Sequence, residues 1–121
     1  MKYHIEKNTI QETLVIPLYA RALCTRQFPH LFSDPLSVEL LEQLDYDFSA
    51  LERASGSLTQ TFGAMEAAMR QSDLAWEVRD YLADHPQAAV VNLGCGLDQT
   101  GRSCDNGQCR LYNIDLPDVM V

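Results

Sequence analysis

The chain is poor in positive charge. It holds 9 Lys and Arg against 17 Asp and Glu, for a net charge of -8 and a pI near 4.6. The basic residues are scattered rather than clustered, which argues against a phosphate backbone as ligand and against an anionic membrane surface. Long apolar runs are missing too, since none approaches the ~20 residues that a bilayer-spanning helix needs. The stretch from Leu14 to Ala22 is broken by Pro17 and Arg21 and preceded by Glu6 and Glu12, so it does not read as a secretion signal. Cytoplasm is the expected compartment, with no nucleic acid and no membrane as partner. The 4 cysteines, at positions 24, 95, 104 and 109, lack the tight pairing with His that zinc sites use. Neither a metal nor a disulfide is expected. His4, His30 and His85 are isolated and read as structural or surface residues, and Trp76 as core.

What the chain does have is ordinary globular material: 121 residues, 46% hydrophobic and 21% charged, enough for one domain with a modest core. Thr9-x-x-Glu12 is a capping-box pattern that starts a helix at Ile10, with Leu14, Leu18, Arg21 and Ala22 on one side. Pro17 is expected to kink or restart that helix. Asp34-Pro35 pairs an N-cap residue with proline at the first helical position, and Leu36, Leu40, Leu41 and Leu44 supply an apolar stripe. Asp45 to Ser57 reads as a loop with a short helical piece at Ser49 to Arg53. Gly56 and Gly63 bracket a transition, and Ala64 to Ala83 is helical, with Leu74, Val78, Tyr81 and Leu82 on one face and a possible break at Gln71-Ser72-Asp73. His85-Pro86 ends it.

The most informative stretch follows. Ala88-Ala-Val-Val-Asn-Leu reads as a buried strand that runs into Gly94-Cys-Gly96. Glycines at the carboxyl end of a strand remove the Cβ atoms that would keep a ligand from the backbone. Cys95 lies where a small side chain is needed and has no partnered base, so a catalytic thiol is not expected. A second strand, Arg110-Leu-Tyr-Asn-Ile, ends on Asp115, where a carboxylate can accept from two ribose hydroxyls. Gln99 to Gln108 is short for a crossover helix, and its composition favours a turn-rich connection ending at Asp105-Asn106-Gly107. Helices followed by β, a short crossover and β make an α/β chain with a parallel strand pair.

The dinucleotide fingerprint wants a third glycine where this chain has Gln99, so a pyrophosphate cradle is not supported and a nicotinamide half-domain is the weaker reading. A ribose-bearing ligand without phosphate fits better, and S-adenosylmethionine is the common one. Its methionine carboxylate asks for a cation; Arg70 lies on a helix that can return it to the strand's end, but by its position alone it reads more readily as a solvated helical arginine. Asp98 has two open roles: accepting from the ligand's amino group, or capping the next segment.

Thr13-Leu-Val-Ile-Pro-Leu-Tyr-Ala-Arg21-Ala, Asp34-Pro-Leu-Ser-Val-Glu-Leu, Leu44-Asp-Tyr-Asp-Phe, Val90-Val-Asn-Leu-Gly-Cys-Gly-Leu-Asp98 and Tyr112-Asn-Ile-Asp-Leu-Pro-Asp118 together resemble the leucine carboxyl methyltransferase and polyketide O-methyltransferase family. The resemblance covers nearly the whole chain from Thr9 on. It implies a class I S-adenosylmethionine-dependent methyltransferase with a helical N-terminal cap and a Rossmann-like sheet. On it, residues 1–87 form the cap region and residues 88–121 the first strands of an incomplete sheet. Matched residue by residue, Arg70 binds the cofactor's carboxylate, Gly94 is the motif glycine and Asp115 holds the ribose, with Gly96 and Asp98 in the same turn. Arg21 is the nearest candidate for a basic residue of the first helix that reaches the cofactor in relatives. Where many relatives have Asp-Thr-Arg, this chain has Asp98-Gln-Thr, so any role of that arginine is absent. The expected activity is methyl transfer to a carboxylate or hydroxyl of a small molecule or protein. Because family members run well beyond this length, the chain is expected to supply only the first part of the fold. The alternative expectation is a non-catalytic fragment that self-associates through an open strand edge or through its helical cap.

Overall fold

The computed structural model describes residues 1–120. The chain forms two compact units, Met1–Met69 and the residues from Arg70 on.

In the first unit the order is β1 (Tyr3–His4), α1 (Ile10–Gln27), α2 (Pro35–Gln43), β2 (Leu44–Asp45), α3 (Ser49–Ala54) and the beginning of α4 (Leu58–Asp84). α1 starts where the capping-box pattern places it, although Glu12 takes the backbone N–H of Asn8 (2.7 Å) rather than that of Thr9. The helix passes through Pro17 without a break. Pro17 is exposed, so the carbonyl it leaves unbonded can be hydrated. Val15, Leu18, Tyr19 and Ala22 are buried at helical spacing. Cys24, Phe32 and Ala68 form a core cluster that Phe28 and Met65 cover.

Asp34 fastens α2 to α1. Its Oδ1 accepts from the Ser37 N–H (3.2 Å), its own N–H donates to Thr25 Oγ1 (3.0 Å), and its Oδ2 lies 3.5 Å from Nε of the buried Arg21. Removing either charge would leave the other in a nearly dry site, which makes this pair costly to break. β1 and β2 pair in parallel, Tyr3 with Leu44 and His4 with Asp45, a short ladder that the sequence pattern did not suggest. Tyr46 then donates to Glu12 Oε1 (2.7 Å) and meets Phe48 edge-on, while Phe48 stacks on Tyr19.

α4 begins at Leu58, ahead of the expected Ala64, and runs unbroken through Gly63 and Gln71-Ser72-Asp73 to Asp84. Ser57 Oγ accepts from the Gln60 N–H (3.1 Å), so Ser57-x-x-Gln60 is itself a cap pattern. In the second unit α4 is followed by β3 (Ala89–Leu93), α5 (Thr100–Cys104) and β4 (Arg110–Ile114). The buried stripe of α4 here is Ala75, Val78 and Leu82, packed with Cys104, Ala88, Val90 and Cys109. Leu74, Tyr81 and Trp76, expected on the inner face, are exposed. Val78 and Leu82 lie inward as expected, and Ala75, between the exposed Leu74 and Trp76, is the third inward position.

β3 and β4 are parallel and in register from Ala89–Arg110 to Leu93–Ile114, as an α/β chain requires. The crossover holds a single helical turn, α5, where a turn-rich loop was expected. Bonds from outside hold this turn, which is too short to be stable alone. Arg79 donates to the Ser103 carbonyl through Nε (3.1 Å) and Nη2 (2.8 Å) at one end, and Asp98 accepts the Thr100 N–H at the other. Asn106 Oδ1 accepts from Gln108 and Cys109, and Gly107 takes a left-handed φ of 76°, so the chain enters β4 through the turn the sequence indicates.

One face of the strand pair, with Val90 and Leu111, is half-buried. The other carries Val91, Leu93, Tyr112 and Ile114, all exposed, Leu93 at 74%. Parallel strands are normally covered on both faces. Among the described residues no helix is long and apolar enough to cross a membrane.

Candidate cofactor site

The carboxyl ends of β3 and β4 meet in one tight constellation. Gly94 and Gly96 both adopt left-handed φ, 65° and 48°, which only glycine takes without strain. The Gly94 N–H donates to the Ile114 carbonyl at 2.7 Å, and the Cys95 N–H reaches the same oxygen at 3.3 Å, so the turn folds over the end of β4. Asp115 follows directly. Its Oδ2 accepts from the Gly96 N–H at 2.7 Å and its Oδ1 from the Leu116 N–H, also at 2.7 Å. The glycine turn and the acidic residue are thus joined by a hydrogen bond. Beyond its chain neighbours, no heavy atom of the described residues lies within 4 Å of where a Cβ on Gly94 would stand, so the turn is open at that point.

Asp98 closes the turn on its other side. Its Oδ1 accepts from Asn92 Nδ2 (2.9 Å) and from the Thr100 N–H (3.0 Å), and its N–H donates to the Cys95 carbonyl. Cys95 sits between the two carboxylates. Burial pushes its thiol pKa up, and the charges of Asp115 and Asp98 push it further, so the group stays protonated and is a poor nucleophile. The same two charges make the rim of the turn electronegative.

Arg70 is exposed, at the start of the second unit. The residue after it, Gln71, is tied to the segment that leaves the glycine turn: its Oε1 accepts from the Gln99 N–H at 3.4 Å. Arg21 belongs to the first unit, where it is buried beside Asp34. Gln71 and Asn92 are the participants that sequence reasoning passed over. Asn92 had a signal, an amide on the packed face of a strand of Val and Leu, whereas Gln71 had none.

The leucine carboxyl methyltransferase profile matches residues 15–121. The chain belongs to this family. This is the family that the five sequence segments quoted above resemble. Among curated relatives, it is 38% identical over 113 residues to a tetracenomycin polyketide synthesis O-methyltransferase, TcmP, of Streptomyces glaucescens. That match takes in 92% of this chain but 39% of the relative, so the chain spans about two fifths of the length of the curated relative it matches. No solved structure matches the chain.

Proposed function

We propose that this protein is a cytoplasmic S-adenosylmethionine-dependent O-methyltransferase whose cofactor site begins with the residues just described. The observation that carries the reading is the bond from Gly96 to Asp115, which sets a left-handed glycine pair and a carboxylate side by side at the ends of two parallel strands. The residues fit the cofactor. Gly94 faces open space where a side chain would intrude. Each oxygen of Asp115 has one backbone donor among its bonds, and a carboxylate oxygen can take a further one, as two ribose hydroxyls would supply.

When bound, the cofactor supplies an electrophilic methyl group on a sulfonium sulfur. In this reading Arg70 pairs with its carboxylate, Gly94 and Gly96 let it lie against the backbone, and Asp115 fixes its ribose. The electronegative rim made by Asp115 and Asp98 favours a cationic ligand. Methyl transfer to a carboxylate or hydroxyl of a small molecule or protein then depends chiefly on holding the acceptor oxygen in line. A carboxylate acceptor arrives ionised and requires no general base. For Arg21, the buried pair with Asp34 favours holding α1 to α2 over reaching the cofactor.

Calorimetry on the protein as its gene encodes it tests the proposal, with S-adenosylhomocysteine and NAD as ligands. Binding of the first and none of the second is expected, and the reverse overturns the assignment. A second reading, self-association through a second copy, is favoured by the exposed Val91, Leu93, Tyr112 and Ile114.

A further inference from the structure

Asn92 occupies a position that a strand normally gives to an apolar side chain. It follows Val90 on the packed face of β3 and pairs in register with Asn113 of β4. Asparagine is depleted in strands, and a half-buried amide destabilises unless it finds a partner. Its partner is Asp98 Oδ1, at 2.9 Å, the oxygen that also takes the Thr100 N–H. The residues between these two side chains are the glycine turn itself. The Asn92–Asp98 bond therefore spans the turn at its base, as the Asp115–Gly96 bond spans it on the side of β4.

We propose that Asn92 is a positioning residue: it holds Asp98, and through Asp98 the Gly94–Gly96 turn, in the shape that receives the cofactor. Asp98 then serves the site through this bond and through the start of α5, and not by touching the ligand. The inference rests on the cofactor reading above. A turn with two left-handed residues has other shapes available once its base is open, and ordering it on binding subtracts from affinity without removing any contact.

The test uses S-adenosylhomocysteine calorimetry on the protein as its gene encodes it. Asn92→Asp sets two carboxylates against each other at the distance of the present bond. They repel when both are ionised and share a proton as the pH falls, so affinity should drop about tenfold or more near pH ~8 and recover toward pH ~5. Asp98→Asn can keep an oxygen at the place of Oδ1, where it accepts from both Asn92 and the Thr100 N–H, and removes only the charge, so it should bind within about threefold of the unsubstituted protein at pH ~8. This second variant decides the matter even where the first folds poorly. Asp98→Asn binding as weak as that of Asn92→Asp would mean that the Asp98 charge itself meets the ligand, and the inference fails. A pH-independent loss in a folded Asn92→Asp protein defeats it as well. Failure of the unsubstituted protein to bind S-adenosylhomocysteine overturns the cofactor reading instead, and the inference with it.

Discussion

Asp115→Asn looks conservative, and the geometry says it is not. The carboxylate receives a backbone N–H on each oxygen, Gly96 on Oδ2 and Leu116 on Oδ1, both at 2.7 Å. An amide in its place offers one acceptor and one donor, so in either orientation one N–H faces an NH2 group. A bond to a charged group contributes ~1.5–3 kcal/mol, and the half-buried setting, where water can replace it, puts the cost to folding near the low end. Ribose binding loses one of its two acceptors in the same change, which corresponds to roughly tenfold in adenosine affinity. Asn should therefore rank with Ala, and not with Asp, in calorimetric titrations with adenosine, while thermal melts show both variants folded and slightly less stable. An Asn variant within about twofold of the unsubstituted protein, beside an Ala variant roughly tenfold weaker, would refute the reasoning, because it would show that a single acceptor suffices.

Arg70→Ala should weaken S-adenosylhomocysteine roughly tenfold to a hundredfold while leaving plain adenosine nearly unchanged, since the lost partner is the methionine carboxylate; titration with both ligands checks it. Tyr46→Phe should remove a pH-dependent part of the stability, measured by denaturant melts across pH. The Tyr46 hydroxyl holds the Glu12 carboxyl below its usual range, helped by the Asn8 N–H, and Glu12 in turn raises Tyr46. For the depressed carboxyl the contribution is present above its unfolded pKa and lost as pH falls through the folded one. For the raised phenol it is present below the unfolded value and lost as pH rises through the folded one. The difference between the two proteins should therefore be flat near neutrality and shrink at both extremes. The 121-residue chain should form dimers or larger assemblies in light scattering, and Leu93→Lys should reduce them; a monomer before substitution would count against the exposed face as an association surface.

The parts of the fold that local chemistry dictates were legible in the sequence. The starts of α1 and α2 and the turn at Asp105-Asn106-Gly107 follow from side chains that bond to nearby backbone, and both long strands from their runs of apolar and β-branched residues. Elements held from a distance were not legible. α5 depends on Arg79, far back in the chain, and the β1–β2 ladder has too few residues to show a period. On α4 the inner face was read correctly at Val78 and Leu82 but not at Leu74, Trp76 and Tyr81, which are exposed, because Ala75, which is buried, carries less hydrophobic signal than Leu74 or Trp76. The site shows the same division. Its glycines and Asp115 announce themselves by type and spacing, while the role of Asn92 emerges only once Asp98 is seen beside it.

The glycine turn also bears on which ligands the proposed site would turn away. Six of its backbone N–H groups already have internal acceptors: Gly94 and Cys95 use the Ile114 carbonyl, Gly96 uses Asp115, Asp98 uses Cys95, Gln99 uses Gln71 and Thr100 uses Asp98. A phosphate-binding loop works the other way, by leaving such N–H groups free to converge on an anion. A nucleotide arriving here would find carboxylates where it requires donors, and would have to unmake the turn to be held by it. If the cofactor reading holds, such a site would discriminate against phosphorylated ligands by withholding hydrogen bonds, a form of selectivity that requires no bulky gate and is built into the turn before any ligand arrives.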